Sequence, residues 1–553
     1  MPKLEGNIKG LKKAEIKSLE RIFRRKVPPN ELITQELGRF LTELSFEVKR
    51  QIGLIIDRKG TIIYVIVGDE REIVIPALKD YPLGRRALRG LRCIHTHLKN
   101  EPLSEDDLTD MAILRLDAMV AIGVGEKGLP REVFTANLIP HKEGIEKKPF
   151  EVKEPVPFHS LDISFTEFTE ALESEMGRAI LRKTKDKRER AILVSVSLGS
   201  KEEQESSIKE LRSLALTSNI NILGLIKQRP KKLNPKYLLG SGKIKELIIT
   251  ALSQEATILI FDSELTPTQI RELGELTELK VIDRTQLILD IFASRAHSRD
   301  GLVQVELAQL KYLLPKLSGK GTSMSRLMGG IGGRGPGETK LETDKRRIGE
   351  RISYLERELK TLGKGRKERR RRRGESQVPI ISIVGYTNAG KSTLLNALTK
   401  SEVLAEDKLF ATLDTTSRRL RFPREKEAII TDTVGFIRNM PLELMRAFRS
   451  TLEEMEDADL LLHVVDASDP DLEARIKTVE DILDEVELLS IPRLIVFNKA
   501  ELIEEEVGIN LSKKFEGLTV SAIKPETLKP LVEVIGKKLW AKGGLKPLDK
   551  NSS

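Results

Sequence analysis

The chain has 553 residues, more than one compact core accommodates, and at roughly 150 residues per domain it should divide into three or four. Lysine plus arginine number 94 against 84 acidic residues, a net charge of +10, while aromatics make up only 4%; this disfavours base stacking on single strands and directs any nucleic-acid contact to phosphates. The one cysteine, Cys93, excludes a disulfide framework and a cysteine-based zinc finger, and with no apolar run of ~18 residues and no signal-type N-terminus the cytoplasm is the expected compartment.

Residues 1–140 read as a mixed α/β extension. The β-branched runs Ile52 to Ile56 and Thr61 to Val67 flank Asp57-Arg58-Lys59-Gly60, a hairpin signal. Further on, His95-Thr96-His97 and Asp107 make a candidate zinc trio, two histidines at i, i+2 on a strand end followed by a carboxylate. The string is similar to the HxH…SxxD pattern of JAMM-type metallopeptidases and RadC-type domains. Those domains also need an upstream glutamate, for which Glu47 is the candidate. The spacer here is one residue shorter, and Leu98 stands where proline is common. The competing readings are a degenerate fold of that type and unrelated surface histidines.

Residues 141–187, including KEGIEKKPFEVKEPVP, read as a linker. Residues 188–300 alternate strand candidates (Ala191 to Leu198, Thr257 to Phe261) with helical spacing (Glu205 to Leu216, Lys243 to Leu252), the pattern of a small α/β layer. Residues 301–375 predict two helices. Val303, Leu307, Leu310 and Leu314 share one face, and Ile348, Ile352, Leu355, Leu359 and Leu362 repeat at 4-3-4-3 spacing, an apolar seam. Gly319 to Glu338 between them is glycine-rich and cannot build a core, so it is either the basic tip of a helical hairpin or a disordered connector. Lys364 to Arg373 holds eight basic residues and one acidic one, which suits a solvated helix end or a nucleic-acid contact. Residues 377–545 alternate apolar strands (VPIISIV, EAIIT, DLLLHVV, RLIVF) with helices, as in a doubly wound, mostly parallel sheet; 546–553 form a tail.

The nucleotide signature lies in this last segment. Gly385-Tyr386-Thr387-Asn388-Ala389-Gly390-Lys391-Ser392 matches GxxxxGK[ST], follows a strand and opens a helix, the context that a phosphate-binding loop requires. Backbone N–H groups and the helix N-terminus suit phosphates, Lys391 the β- and γ-phosphates, and the Ser392 hydroxyl Mg²⁺. Asp432-Thr433-Val434-Gly435 ends a strand: Asp432 can hold Mg²⁺ through water, and the Gly435 N–H can sense a γ-phosphate. Asn498-Lys499-Ala500-Glu501 and Ser521-Ala522-Ile523 follow at later strand ends. The order GxxxxGKS, DxxG, NKxE, SA is that of a guanine-nucleotide P-loop G domain. Glu501 stands where aspartate is usual; it keeps the acceptor chemistry for the base's N1–H and N2–H₂, so guanine selectivity is expected to survive.

The chain resembles the HflX family of bacterial translational GTPases over about residues 190–540. The resemblance is carried by Phe261-Asp262-Ser263-Glu264-Leu265-Thr266-Pro267, by Val281 to Ala293 (VIDRTQLILDIFA), by Val305-Glu306-Leu307-Ala308-Gln309-Leu310, by Gly329 to Thr339 (GGIGGRGPGET), by Phe410-Ala411-Thr412-Leu413-Asp414 and by Asp432 to Arg438 (DTVGFIR). It implies GTP hydrolysis with Mg²⁺, a large (50S) ribosomal subunit and its rRNA as partner, and separation of stalled or idle 70S ribosomes by a monomer. It implies that Thr412 is the switch I threonine on Mg²⁺, so that Lys391, Thr412 and Gly435 surround the reacting phosphate. It also implies that the α/β layer and hairpin face the ribosome. Phe436 occupies the position after DxxG where a water-orienting glutamine often stands, so slow intrinsic hydrolysis raised by the ribosome is expected. The alternatives are a GTP-regulated RNA-binding switch in ribosome assembly or RNA modification, and a metallopeptidase carrying a regulatory G domain.

Overall fold

The computed structural model describes residues 3–76, 78, 80–81, 88–139, 149–182, 188–277, 279–317, 337–374, 378–399, 410, 416–423, 426–433, 435–438, 440, 445 and 453–540. They fall into two compact units. One comprises Met1–Ile192, Leu223–Ile258 and Glu275–Leu279; the other comprises Leu193–Ile222, Leu259–Gly274 and Lys280–Ser553.

The first unit is built on β1 (Lys3–Gly6), α1 (Lys13–Arg21), α2 (Gln35–Val48), β2 (Ile52–Asp57), β3 (Ile62–Val67), β4 (Leu91–His97), α3 (Glu105–Leu114), β5 (Ala118–Val124), β6 (Pro130–Leu138), β7 (Phe150–Val152), β8 (Val156–Pro157) and α4 (Phe165–Arg182). The strands make one mixed sheet in the order β1-β3-β2-β4-β5-β6-β7, with β8 also pairing β6. The expected hairpin is present as the antiparallel pair β2 and β3.

Apolar runs replace alternation in β2 to β5 because helices cover both faces. Ile52, Leu54, Ile94, Val120 and Ile122 pack with Leu37, Leu41 and Leu44 of α2. Ile55, Ile66, Cys93, Met119 and Ala121 pack with Leu108, Met111 and Ala112 of α3. Successive strand residues point to opposite faces. His95 and His97 therefore lie on the α3 side, whereas Thr96 lies on the α2 side, 2.8 Å from Ser45 Oγ. Glu47 belongs to α2 and is exposed, so it cannot complete a site with these histidines.

Residues 141–187, expected as a linker, instead hold β7, β8 and α4 within their described stretch, 149–182. Two aromatic anchors, Phe158 and Phe165, are buried in the sheet's core. The surrounding lysine, glutamate and proline disguise them in sequence.

Between residues 190 and 283 lie β9 (Arg190–Val196), α5 (Lys201–Thr217), β10 (Asn221–Gln228), α6 (Ser241–Ser253), β11 (Ile258–Phe261), α7 (Pro267–Thr277) and β12 (Lys280–Asp283). The four strands take the order β10-β9-β11-β12. They are followed by α8 (Arg284–Arg295), α9 (Arg299–Lys316) and α10 (Gly337–Gly374). Helices α9 and α10 pack antiparallel: Val303, Leu307 and Leu355 are buried between them, with Leu310, Ile352 and Leu359 alongside. Arg299 pairs with Glu358, and Arg351 makes a bidentate contact with Glu306 at 2.7 and 2.8 Å. Most of the glycine-rich segment, residues 318–336, lies outside the described residues, as do the side chains of the Lys364–Arg373 run and the tail 546–553.

The rest of the second unit holds β13 (Ile380–Gly385), α11 (Lys391–Thr399), β14 (Thr416–Arg421), β15 (Glu427–Asp432), β16 (Leu460–Asp466), α12 (Leu472–Glu485), β17 (Arg493–Asn498), α13 (Glu505–Lys514), β18 (Leu518–Thr519) and α14 (Leu528–Trp540). The sheet order is β14-β15-β13-β16-β17-β18, parallel except for the antiparallel edge pair β14 and β15. Helices α11 and α14 pack on one apolar cluster, and α12 and α13 on another, which makes the sheet doubly wound. The arginine-rich TSRRLR of β14 gives no apolar signal because an edge strand needs little core.

Leu355 is wholly buried in the hairpin seam. Leu355→Ala should therefore destabilise the hairpin locally by about 2–5 kcal/mol. Amide hydrogen exchange in α9 and α10 should accelerate by at least about tenfold; unchanged protection would contradict the packing.

Candidate nucleotide-binding site

The predicted motifs meet at the C-terminal ends of parallel strands β13, β15, β17 and β18, where open α/β sheets place ligands. The loop from Gly385 to Gly390 joins β13 to α11. Gly390 has φ +85°, and a Cβ there would lie 2.3 Å from Asn498 Nδ2, so only glycine fits. A Cβ on Gly435 would lie 2.8 Å from Lys391 Nζ, which brings the backbone of the DxxG segment directly against the lysine. That segment also pairs with the loop: Thr387 N donates to Phe436 O at 2.8 Å, and Phe436 N donates to Gly385 O at 3.1 Å.

Lys391 is buried, and its Nζ donates to Tyr386 O at 3.0 Å and to Gly385 O at 3.3 Å. Burial lowers its pKa to about 8, against a partial lift from Asp432. Ser392 Oγ donates to Asp432 Oδ2 at 2.6 Å, which brings two hard oxygen donors together beside the loop. Thr433 Oγ1 is turned away, donating to Ile383 O at 2.6 Å. Phe436 is buried at 1% exposure rather than presented to the pocket.

On the base side, Asn498 acts partly as a strut. Its Nδ2 donates to Ala389 O, and its Oδ1 accepts from Ala522 N, both at 3.0 Å. One Nδ2 hydrogen is thus committed to the phosphate loop, leaving the other for a base edge. Lys499 has φ +64° and pairs with Asp466 at 2.7 Å. Glu501 Oε2 and Ser521 Oγ are buried without a hydrogen-bond partner among the described residues, and Ile523 is 65% exposed. Phe410 is buried, its ring 4.4 Å from that of Phe292 on α8. Ala411, Thr412, Leu413, Asp414 and Val434 lie outside the described residues.

Sequence reasoning missed a second layer. Tyr386 Oη donates to Glu210 Oε1 on α5 and accepts from Arg438 N, both at 2.6 Å. Glu210 also pairs with Arg284 at the start of α8, and Arg284 reaches Asp262 Oδ1 at 3.2 Å and Arg438 O at 3.3 Å. Burial alone would lower the Arg284 pKa, but Glu210 and Asp262 outweigh it, and the net shift is upward. Burial and the Glu210 carboxylate raise the Tyr386 phenol, so it stays protonated. The guanidinium of Arg475 lies 4.4 Å from the Tyr386 ring centroid. The strings containing Asp262 and Arg284 were visible in the sequence; the Tyr386–Glu210 bond across 176 positions of chain, which ties their network to the phosphate loop, was not.

Two outcomes follow. A phosphate-bound Lys391 must be charged, and a bound triphosphate raises its pKa above the free value of about 8, so binding takes up a proton at higher pH. GTP affinity should be flat below about pH 7 and fall by up to about tenfold per unit above pH 8. Calorimetry in buffers of different ionisation enthalpy reads this directly; no proton uptake at about pH 9 contradicts it. Tyr386→Phe leaves Glu210 and the Arg438 N–H without their shared hydroxyl and should cost about 1–3 kcal/mol of stability in thermal or urea unfolding.

Three family models match the chain: GTP-binding GTPase N-terminal over residues 205–293, GTP-binding GTPase Middle Region over 295–373, and 50S ribosome-binding GTPase over 380–499. GTPase HflX of Caldanaerobacter subterraneus subsp. tengcongensis is 49% identical over 353 residues, covering 64% of this chain and 81% of the relative. GTPase HflX of Escherichia coli K12 is 44% identical over 320 residues, covering 58% of this chain and 75% of the relative. The crystal structure of a GTP-binding protein from Sulfolobus solfataricus in complex with GDP is 25% identical, with a TM-score of 0.35 over 63% of this chain and 99% of its own. With a glycine-cradled lysine, a base-side asparagine strut and relatives of this identity, the chain belongs to the HflX family of GTPases and hydrolyses GTP.

Proposed function

We propose that this GTPase binds the large ribosomal subunit and its rRNA, and separates 70S ribosomes when loaded with GTP. The observation that carries the reading is the polar network running from Tyr386 of the phosphate loop through Glu210 to Arg284 and Arg438. Residues that touch the phosphates and residues that anchor the α/β layer share buried hydrogen bonds. A change in one is therefore felt by the other, and the layer leads through α8 into the hairpin of α9 and α10. The match of residues 380–499 to 50S ribosome-binding GTPases supports the choice of partner, as does the net charge of +10.

In this reading the phosphate loop and the α11 N-terminus bind the triphosphate, Lys391 neutralises the β and γ oxygens, and the Gly435 N–H meets the γ-phosphate. Asn498 and Glu501 read guanine while Lys499 packs on it, and Ser521, Ala522 and Ile523 close the base side. The oxygen donors Ser392 and Asp432 suit Mg²⁺, with Thr412 joining from switch I; when bound, the ion supplies charge neutralisation at the phosphates. Phe436 cannot polarise a water and is buried, so turnover of the isolated protein is slow and the ribosome raises it. Among the described residues no helix is long and apolar enough to cross a membrane.

Sedimentation of 70S particles tests the proposal. A non-hydrolysable GTP analogue with the protein should shift the particles to separate subunits, and GDP should not. Binding to 50S without any separation would instead favour the assembly-switch reading.

A further inference from the structure

We propose that His95, His97 and Asp107 form a zinc site in the N-terminal unit, and that its ion cross-links the end of β4 to the start of α3. The three side chains share the α3 face of the sheet. His95 Nε2 and His97 Nε2 are 2.9 Å apart, His95 Nε2 is 3.4 Å from Asp107 Oδ1, and His97 Nε2 is 3.5 Å from Asp107 Oδ2. A tetrahedral ion with bonds of about 2.0–2.1 Å has ligand–ligand edges of about 3.3 Å, so the separations bracket that edge. The donor set of two imidazoles and one carboxylate suits zinc.

Surrounding contacts orient these donors. His97 Nδ1 lies 2.8 Å from the Glu101 carbonyl, which only accepts; Nδ1 therefore carries the hydrogen and the neutral ring presents a lone pair at Nε2. His95 is wholly buried, and its Nδ1 has no partner among the described residues, so its polar contacts all run through Nε2. Asp107 Oδ2 accepts from both Ser104 N and Ser104 Oγ at 2.7 Å, which holds the carboxylate and leaves Oδ1 directed at His95. His97 and Asp107 are each held by a contact outside the trio, and the three donors converge on one point, as a metal site requires.

The arrangement does not support hydrolysis. Glu47, the carboxylate that a peptidase of this pattern would use, is exposed on α2 against the other face of the sheet. Three protein ligands leave the fourth tetrahedral position to water, and the ion ties β4 to α3. Asp106, next to the ligand Asp107, pairs with Lys245 of α6 at 2.6 Å, so fixing the α3 N-terminus also fixes that contact.

The test uses the full-length chain, stripped with chelator, exposed to micromolar zinc and desalted. The expected result is about one zinc per chain, a rise in unfolding temperature with zinc, and an intense tetrahedral visible spectrum when Co²⁺ replaces it. His95→Ala/His97→Ala should abolish all three, and Asp107→Asn should weaken zinc by at least about tenfold, with GTP hydrolysis unchanged in every variant. If the double variant misfolds, Asp107→Asn and the parent chain decide the matter. Retention of less than about a tenth of an equivalent by the parent chain, full retention by the double variant, or selection of iron over zinc from an equimolar mixture overturns the proposal.

Discussion

A guanidinium buried as deeply as that of Arg284, at 5% exposure, is tolerated only if its charge is matched; its two terminal nitrogens are received, while its Nε has no partner among the described residues. Much of the second unit is arranged to meet that demand. Glu210 and Asp262 supply the charge, and the carbonyl of Arg438 supplies an acceptor from the segment that follows DxxG. Because Tyr386 shares Glu210, the same network reaches the loop that cradles phosphate. Breaking one partner would leave a charge stranded in low dielectric, so the network favours a few complete arrangements over a continuum. That discreteness is what a nucleotide-dependent switch needs. The Phe410–Phe292 contact adds an apolar tie between the same two parts of the unit.

Much of the site was legible because its chemistry is local in sequence. The phosphate loop, Asp432, Gly435, Asn498 and Ser521 each sit at a strand's end, and the apolar strands announce themselves. The hairpin seam was legible for the same reason: Ile352, Leu355 and Leu359 recur at helical spacing. What escaped depended on distance or disguise. The hydroxyl of Tyr386 finds its partner 176 residues away, which no spacing rule encodes. Asn498 reads in sequence as a base-reading residue, yet it also braces Ala389 and Ala522. Strand β14 was hidden by its arginines, and α4 by the charged stretch around it.

The N-terminal unit shows the same contrast. The alternation of His95, Thr96 and His97 on one strand places the two histidines together, which the sequence permits one to foresee. It does not reveal that α2 and α3 cover opposite faces, and this separates Glu47 from the histidines while bringing Asp107 to them. Topology therefore sets Glu47 apart from the His95–His97–Asp107 cluster, although the residue types alone would have allowed it to join.

Helix α10 has one more consequence. It spans 38 residues without a break and ends six residues before β13 begins. At about 1.5 Å per residue it is a rod of about 57 Å. A tilt of roughly 5° at the end nearest the phosphate loop would carry the far end through about 5 Å, about one turn of helix. Leverage of that kind turns an ångström-scale adjustment at one end of the rod into a displacement of several ångströms at the other.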